Sequence, residues 1–173
     1  MLAYVFSHRP AGDVDVDAYE TALKNFHAAL ASAPPSGFVR SSTFKVGDHY
    51  SDWYLVDGSA ALDVLNAAAV SGARIPAHDA AARMAVDGVG KLYSLISGEP
   101  TAGPGFEIHF SKPAGVGYAD HYARLGPYSS RPGVSVWRRM MVLGPPPEFC
   151  LIAPSGIELP HEYRPEVLRR EPI

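Results

Sequence analysis

Residues 6–12 read FSHRPAG and residues 110–115 read FSKPAG, the same phrase written twice with one residue dropped. The surroundings repeat with it. The apolar run from Tyr4 to Phe6 predicts a strand closed by a Pro-Ala-Gly turn. Asp15 or Asp17 then caps a helix with Tyr19, Leu23, Phe26 and Leu30 at helical spacing, stopped by Pro34, Pro35 and Gly37. Strands follow at residues 38–46 and 53–56 (WYLV), and Ser59 starts an Ala-rich helix holding Leu62, Leu65 and Val70. In the second half, FEIHFS (residues 106–111) is the strand before the turn. Tyr118, Tyr122 and Leu125 mark a shorter helix ended by Gly126-Pro127. A strand is predicted over residues 134–143, FCLI (149–152) stands where WYLV stood, and residues 161–170 read as a closing helix despite Pro165.

The order strand, helix, strand, strand, helix therefore occurs twice, as an internal duplication of a βαββ(α) unit. Helices on one face of each antiparallel sheet leave the other face bare, and two copies can bury those faces against each other. The expected fold is α+β, with a first repeat over residues 1–74, a connection over 75–103 and a second repeat over 104–173. Within the connection, Ala85, Val89, Leu92, Tyr93 and Ile96 share a helical face, so residues 75–98 read as a connecting helix even with Gly88 and Gly90 inside it. The Gly/Pro cluster of residues 101–105 is the predicted linker.

With 173 residues, 47% apolar and 19% charged, the chain suits one domain or two packed halves. A net charge of −3, with no stripe of Lys or Arg, argues against nucleic acid or an acidic membrane surface as partner. Cys150 is the only cysteine, which excludes an intrachain disulfide, argues against a thiolate zinc site and fits a reducing compartment. The N-terminus lacks the basic and apolar regions of a signal peptide, and no apolar stretch is long enough to span a bilayer. A soluble, cytoplasmic protein is expected.

Two longer segments carry a family resemblance. FHAALASAPPSGFVRSSTF (residues 26–44) places a histidine in a helix, then a Pro/Gly turn and a strand, and HYARLGPYSSRPGVSVWRRM (121–140) follows the same plan. The pattern resembles EthD-like proteins of the dimeric α+β barrel superfamily. That resemblance implies ferredoxin-like repeats whose antiparallel sheets face each other as a barrel-like pseudo-dimer, and it lends His27 weight as a substrate-binding residue. It implies no single chemistry, since the superfamily spans monooxygenases, isomerases, decarboxylases and haem-linked enzymes. Aligned on Gly37 and Gly133, His27 meets Ala123, with His121 two positions earlier, so the copies do not share one histidine.

Alternation along the strands sorts the candidate chemistry. Glu107, His109 and Ser111 point away from Phe106, Ile108 and Phe110, and Ser135, Trp137, Arg139 and Met141 point away from Val134, Val136, Met140 and Val142. The first copy offers Ala3, Val5, Ser7, Ser41, Thr43 and Lys45 at the equivalent places, a plainer set. Catalysis is therefore expected in the second copy. His109 is the candidate general acid or base, Glu107 orients it, and Arg139 holds an anionic or enolate oxygen. Trp137, Met141, Ser111 and His27 complete the substrate-binding set, with Trp137 stacking on a flat ring.

The expected chemistry is proton transfer on an aromatic or polyketide-like small molecule, in a pocket between the two sheets and without a cofactor. Glu107-x-His109 with His121 is a weak metal pattern, and without HExxH or HxH beside it no metal is expected. DGVGKLYS (87–94) and GVGYAD (115–120) lack residues that a P-loop and a dinucleotide fingerprint require, and Cys150 reads as an inert core residue. A haem protein with His109 or His121 as axial ligand is a weaker variant. The rival reading is a non-enzymatic module whose sheet faces assemble a homodimer.

Overall fold

The computed structural model describes residues 1–100, 103–141 and 146–173. The chain forms two compact units, Met1–Leu92 with Pro172–Ile173, and Tyr93–Glu171. Both are α+β, with helices on one face of an antiparallel sheet. No helix among the described residues is long and apolar enough to cross a membrane.

The first unit runs β1 (Leu2–Pro10), α1 (Val16–Ser32), β2 (Phe38–Val46), β3 (His49–Val56), α2 (Ala60–Ala69), a short 3-10 turn at Gly72–Arg74, and α3 (Ile75–Ala82). β3 lies between β1 and β2, antiparallel to both. The Asp15 carboxylate caps α1 by accepting from the Ala18 N–H at 2.8 Å. The apolar stripe of α1 then splits between two contacts. Phe26 and Leu30 pack on Tyr54, Val56 and the α2 residues Ala61 and Leu65, while Tyr19, Ala22 and Leu23 pack on Tyr50 and Ala81 of α3.

A bulge between Phe38 and Arg40 inserts one residue into β2. Beyond it Ser41 pairs with Tyr54 and Thr43 with Asp52, which puts both on the α1 side of the sheet. The sequence reading grouped Ser41, Thr43 and Lys45 with Ala3, Val5 and Ser7. The extra residue overturns that grouping, because a one-residue shift moves every following side chain to the other face.

The expected connecting helix is also corrected. Only Ile75–Ala82 is helical, and Ala85–Gly98 is the fourteen-residue strand β4. Gly88 and Gly90 weaken a helix by roughly 1 kcal/mol each. In a strand they admit aromatic rings instead: a Cβ on Gly88 would stand 2.6 Å from Phe6 Cζ, and one on Gly90 2.5 Å from the Tyr4 hydroxyl.

The second unit contains the end of β4, then β5 (Gly105–Phe110), α4 (Tyr118–Ser129), β6 (Ser135–Arg139), β7 (Phe149–Ala153), a 3-10 turn at His161–Tyr163, and β8 (Glu166–Pro172). Its strand order is β8-β5-β7-β6-β4, antiparallel throughout. The predicted closing helix is therefore one turn followed by a strand. Arg164 takes a left-handed φ of 50° to end the turn, and Pro165 cannot supply the N–H a longer helix needs. Val167 and Leu168 then pair on β5. Ile108, Phe110, Leu125, Val136, Phe149, Leu151 and Tyr163 form the core on the α4 side. β6 stops at Arg139. Its predicted continuation through Val142 and Leu143 lies outside the described residues, as do the linker residues Thr101 and Ala102.

Gly98 holds β4 against β6 at a φ of 82°, and a Cβ there would stand 2.0 Å from the Val134 carbonyl oxygen. Gly98→Ala should therefore lose at least ~2 kcal/mol in urea unfolding, from left-handed strain plus the forced backbone shift. An unchanged midpoint would contradict this close approach.

Candidate functional site

In the middle of β3 a single acid stands in YSDWYLV (residues 50–56), a run that is aromatic or apolar apart from it and Ser51. That acid, Asp52, is 3% exposed. A carboxylate taken out of water must find donors nearby, and β1, β2, β3 and α1 each contribute to meeting that need. Thr43 Oγ1 donates to Asp52 Oδ1 at 2.6 Å, and Tyr54 donates its hydroxyl to Oδ2 at 3.2 Å. His8 Nε2 stands 3.1 Å from Oδ2 and His27 Nε2 3.4 Å from Oδ1.

The remaining hydrogen bonds fix which way the protons point. Thr43 spends its one hydrogen on Asp52, so at 2.6 Å it accepts from His27 Nε2–H, and His27 Nδ1 in turn accepts from Ser41 Oγ at 2.6 Å. On the other side Tyr19 hydrogen-bonds His8 Nδ1. With that nitrogen accepting, His8 Nε2–H faces Asp52. Two chains of donors thus converge on one carboxylate. Burial pushes the Asp52 carboxyl upward, but the hydrogen bonds of His27 and His8 outweigh it and hold the group well below the ordinary carboxylate range. The carboxylate raises Tyr54 and Tyr19 above the usual phenol value in addition to the effect of their burial, so both remain donors.

This network forms one end of a cavity of about 600 Å³ within the first unit. Tyr4, Phe6, His8, Asp52 and Tyr54 come from the sheet, and apolar side chains of the three helices, Leu23, Phe26, Leu65 and Ala81 among them, close the other sides. Asn66, Asp63 and His78 add polar atoms elsewhere on the wall. A mostly apolar chamber with a few convergent polar groups is the usual form of a small-molecule site.

The second unit gathers most of the residues picked out by alternation. Glu107, His109, Trp137 and Arg139 lie on the sheet face away from Phe110, and Cys150 joins them because it pairs with both His109 and Trp137. His109 Nε2 is 3.3 Å from Glu107 Oε2, and Arg170 Nε of β8 is 3.3 Å from Glu107 Oε1. Burial pulls the His109 imidazole down, but the Cys150 sulfur and the Glu107 carboxylate overcome it and raise the ring to about 10. Burial, then Cys150 and Glu107, push the Tyr93 phenol well up. Trp137 is 1% exposed and donates its indole N–H to Ser135 Oγ at 2.9 Å, so its ring is enclosed rather than offered for stacking.

Three of the predicted residues stand apart from that cluster. Met141 follows the end of β6 at a positive φ of 57° and is 89% exposed, which corrects its placement on the same face. Ser111 lies just past β5, where its backbone N–H donates to Tyr163 O at 3.0 Å. His27 belongs to the Asp52 network of the first unit. Sequence reasoning missed Asp52, His8, Tyr19 and Tyr54, although an acid inside an aromatic strand was a legible signal. It also missed Arg170, hidden by the helical reading of its segment. His121 is fully buried on the other face, against Phe110 and Phe149, and is no third partner to Glu107 and His109.

No family model matches the sequence, and no curated protein matches it. Among solved structures, a "putative monooxygenase" from Lactobacillus acidophilus NCFM superposes with a TM-score of 0.57 at 8% identity, over 98% of this chain and 76% of that one. A "putative chlorite dismutase" superposes with a TM-score of 0.50 at 11% identity, over 87% of this chain and 76% of that one. The likeness is one of fold, and it bears out the α+β architecture implied by the resemblance to the dimeric α+β barrel superfamily.

Proposed function

We propose that the first unit binds a small, largely apolar, ring-bearing molecule in the cavity beside Asp52, and that the ligand presents a hydrogen-bond donor to that end. The observation that carries this reading is the buried carboxylate, encircled by oriented donors, at the wall of an apolar chamber. Asp52 stays ionised, so it acts as a fixed negative charge rather than a proton carrier. Such a charge suits a ligand whose donor group gains positive character during reaction.

On the duplication reading, the strand registers set the second copy one residue away from the match of WYLV to FCLI. Phe6 pairs with Asp52, while Phe110, the second copy of Phe6, pairs with Phe149. On this reading the second copy exchanged the carboxylate for a phenyl ring. The EthD-like resemblance is retained through His27, which serves the network at Asp52.

A thermal-shift panel of small phenols and anilines, each beside its donor-free hydrocarbon, tests the proposal. Phenols or anilines should raise the Tm and bind at least tenfold more tightly than the matched hydrocarbons, about 1.4 kcal/mol. Leu65→Trp, which pushes an indole into the chamber, should reduce the shift while leaving the circular dichroism unchanged. Equal shifts in the folded Leu65→Trp protein, or none from any member of the panel in the wild type, would sink it.

A further inference from the structure

We propose that Glu107, His109 and Cys150 bind one divalent transition-metal ion of the zinc class, leaving a fourth coordination position open. One carboxylate oxygen, one imidazole nitrogen and the thiol sulfur lie within 4.8 Å of one another. Around tetrahedral zinc, with bonds of about 2.0–2.3 Å, neighbouring ligand atoms stand roughly 3.3–3.8 Å apart. The 3.3 Å between His109 Nε2 and Glu107 Oε2 already matches one such edge. His109 and Cys150 are direct partners in the β5–β7 ladder, so the sheet itself fixes two of the three ligands.

The surroundings suit an ion as well. Arg170 stands against Glu107 Oε1 and leaves Oε2 on the histidine side, the arrangement by which an outer partner orients a ligand carboxylate. A mixed sulfur, nitrogen and oxygen set favours zinc or cobalt over calcium or magnesium. Glu107 and Cys150 are buried, and the partly exposed His109 gives the ion a way in.

Cobalt(II) titration of the chelator-treated full chain at mildly alkaline pH tests the site. A one-to-one complex should show intense visible bands of tetrahedral cobalt with a thiolate-to-cobalt charge-transfer band in the near ultraviolet, and zinc should bleach both. Cys150 is the only cysteine, so the charge-transfer band reports this site and no surface histidine can imitate it. Cys150→Ser should remove that band. Glu107→Gln and His109→Gln should each weaken cobalt binding at least tenfold, with unchanged circular dichroism certifying the fold. No charge-transfer band in the folded wild type, or undiminished affinity in both folded ligand variants, would overturn the proposal.

Discussion

Asp52→Ala should cost about 3–5 kcal/mol of folding stability and abolish uptake of donor-bearing ligands. The loss exceeds that of an ordinary surface acid because the carboxylate is the common acceptor of a buried network. Its removal leaves the hydrogens of Thr43, Tyr54 and His8 without their acceptor in a largely buried place. Asp52→Asn keeps the shape but turns an amide toward donors, so it should fall between wild type and Asp52→Ala. Urea unfolding at neutral pH measures all three. A cost below ~1 kcal/mol for Asp52→Ala would show that the network is not a stabilising centre. The pH dependence has a definite sign. A carboxyl held low in the folded state contributes its stability above the unfolded value near 4, and the contribution fades as pH drops through the folded value.

A second large effect should appear in a higher pH range. His121 is fully buried among Phe110, Tyr122, Phe149 and Tyr163, with no hydrogen-bond partner for either ring nitrogen among the described residues. Burial first, then the charge of Lys112, lowers its imidazole to about 4. The unfolded chain, with an ordinary histidine near 6.5, takes up a proton that the folded chain refuses, so stability falls as pH drops from about 6.5 toward 4. The loss should reach about 2 kcal/mol by pH 5 and about 3 kcal/mol at the lower end. His121→Phe should flatten that slope and gain about 1–2 kcal/mol at neutral pH, because an apolar ring leaves no buried polar atoms unmatched. Urea midpoints of both proteins at pH 7 and pH 5 decide the matter. Parallel profiles would refute the assignment of the slope to His121. Acid unfolding should thus proceed in two stages, His121 acting above pH 4 and Asp52 below it.

The two phrases around Pro-Ala-Gly, with WYLV and FCLI, located β1, β5, β3 and β7, because a strand's alternation and a turn's proline and glycine are local properties. The same holds for α1, whose capping aspartate and apolar spacing are written within seventeen residues. Alternation also brought Glu107, His109, Trp137 and Arg139 to one face before any coordinates, since adjacent side chains on a strand must point opposite ways. The failures have a shared cause. β4 and β8 carry glycines, a proline and mixed apolar spacing that fit two periods equally well, and only pairing with β6 and β5 decides between them. Cys150 looked inert because its neighbours His109 and Trp137 arrive through cross-strand register, which no local pattern records. One inserted residue in β2 turned Ser41 and Thr43 toward α1 and brought them to His27 and Asp52. The sequence by itself determined the strands and helices whose period is unambiguous and the faces of their side chains. The tertiary structure decided register, bulges and edge pairing, because those are settled by burial and hydrogen bonding between segments distant along the chain.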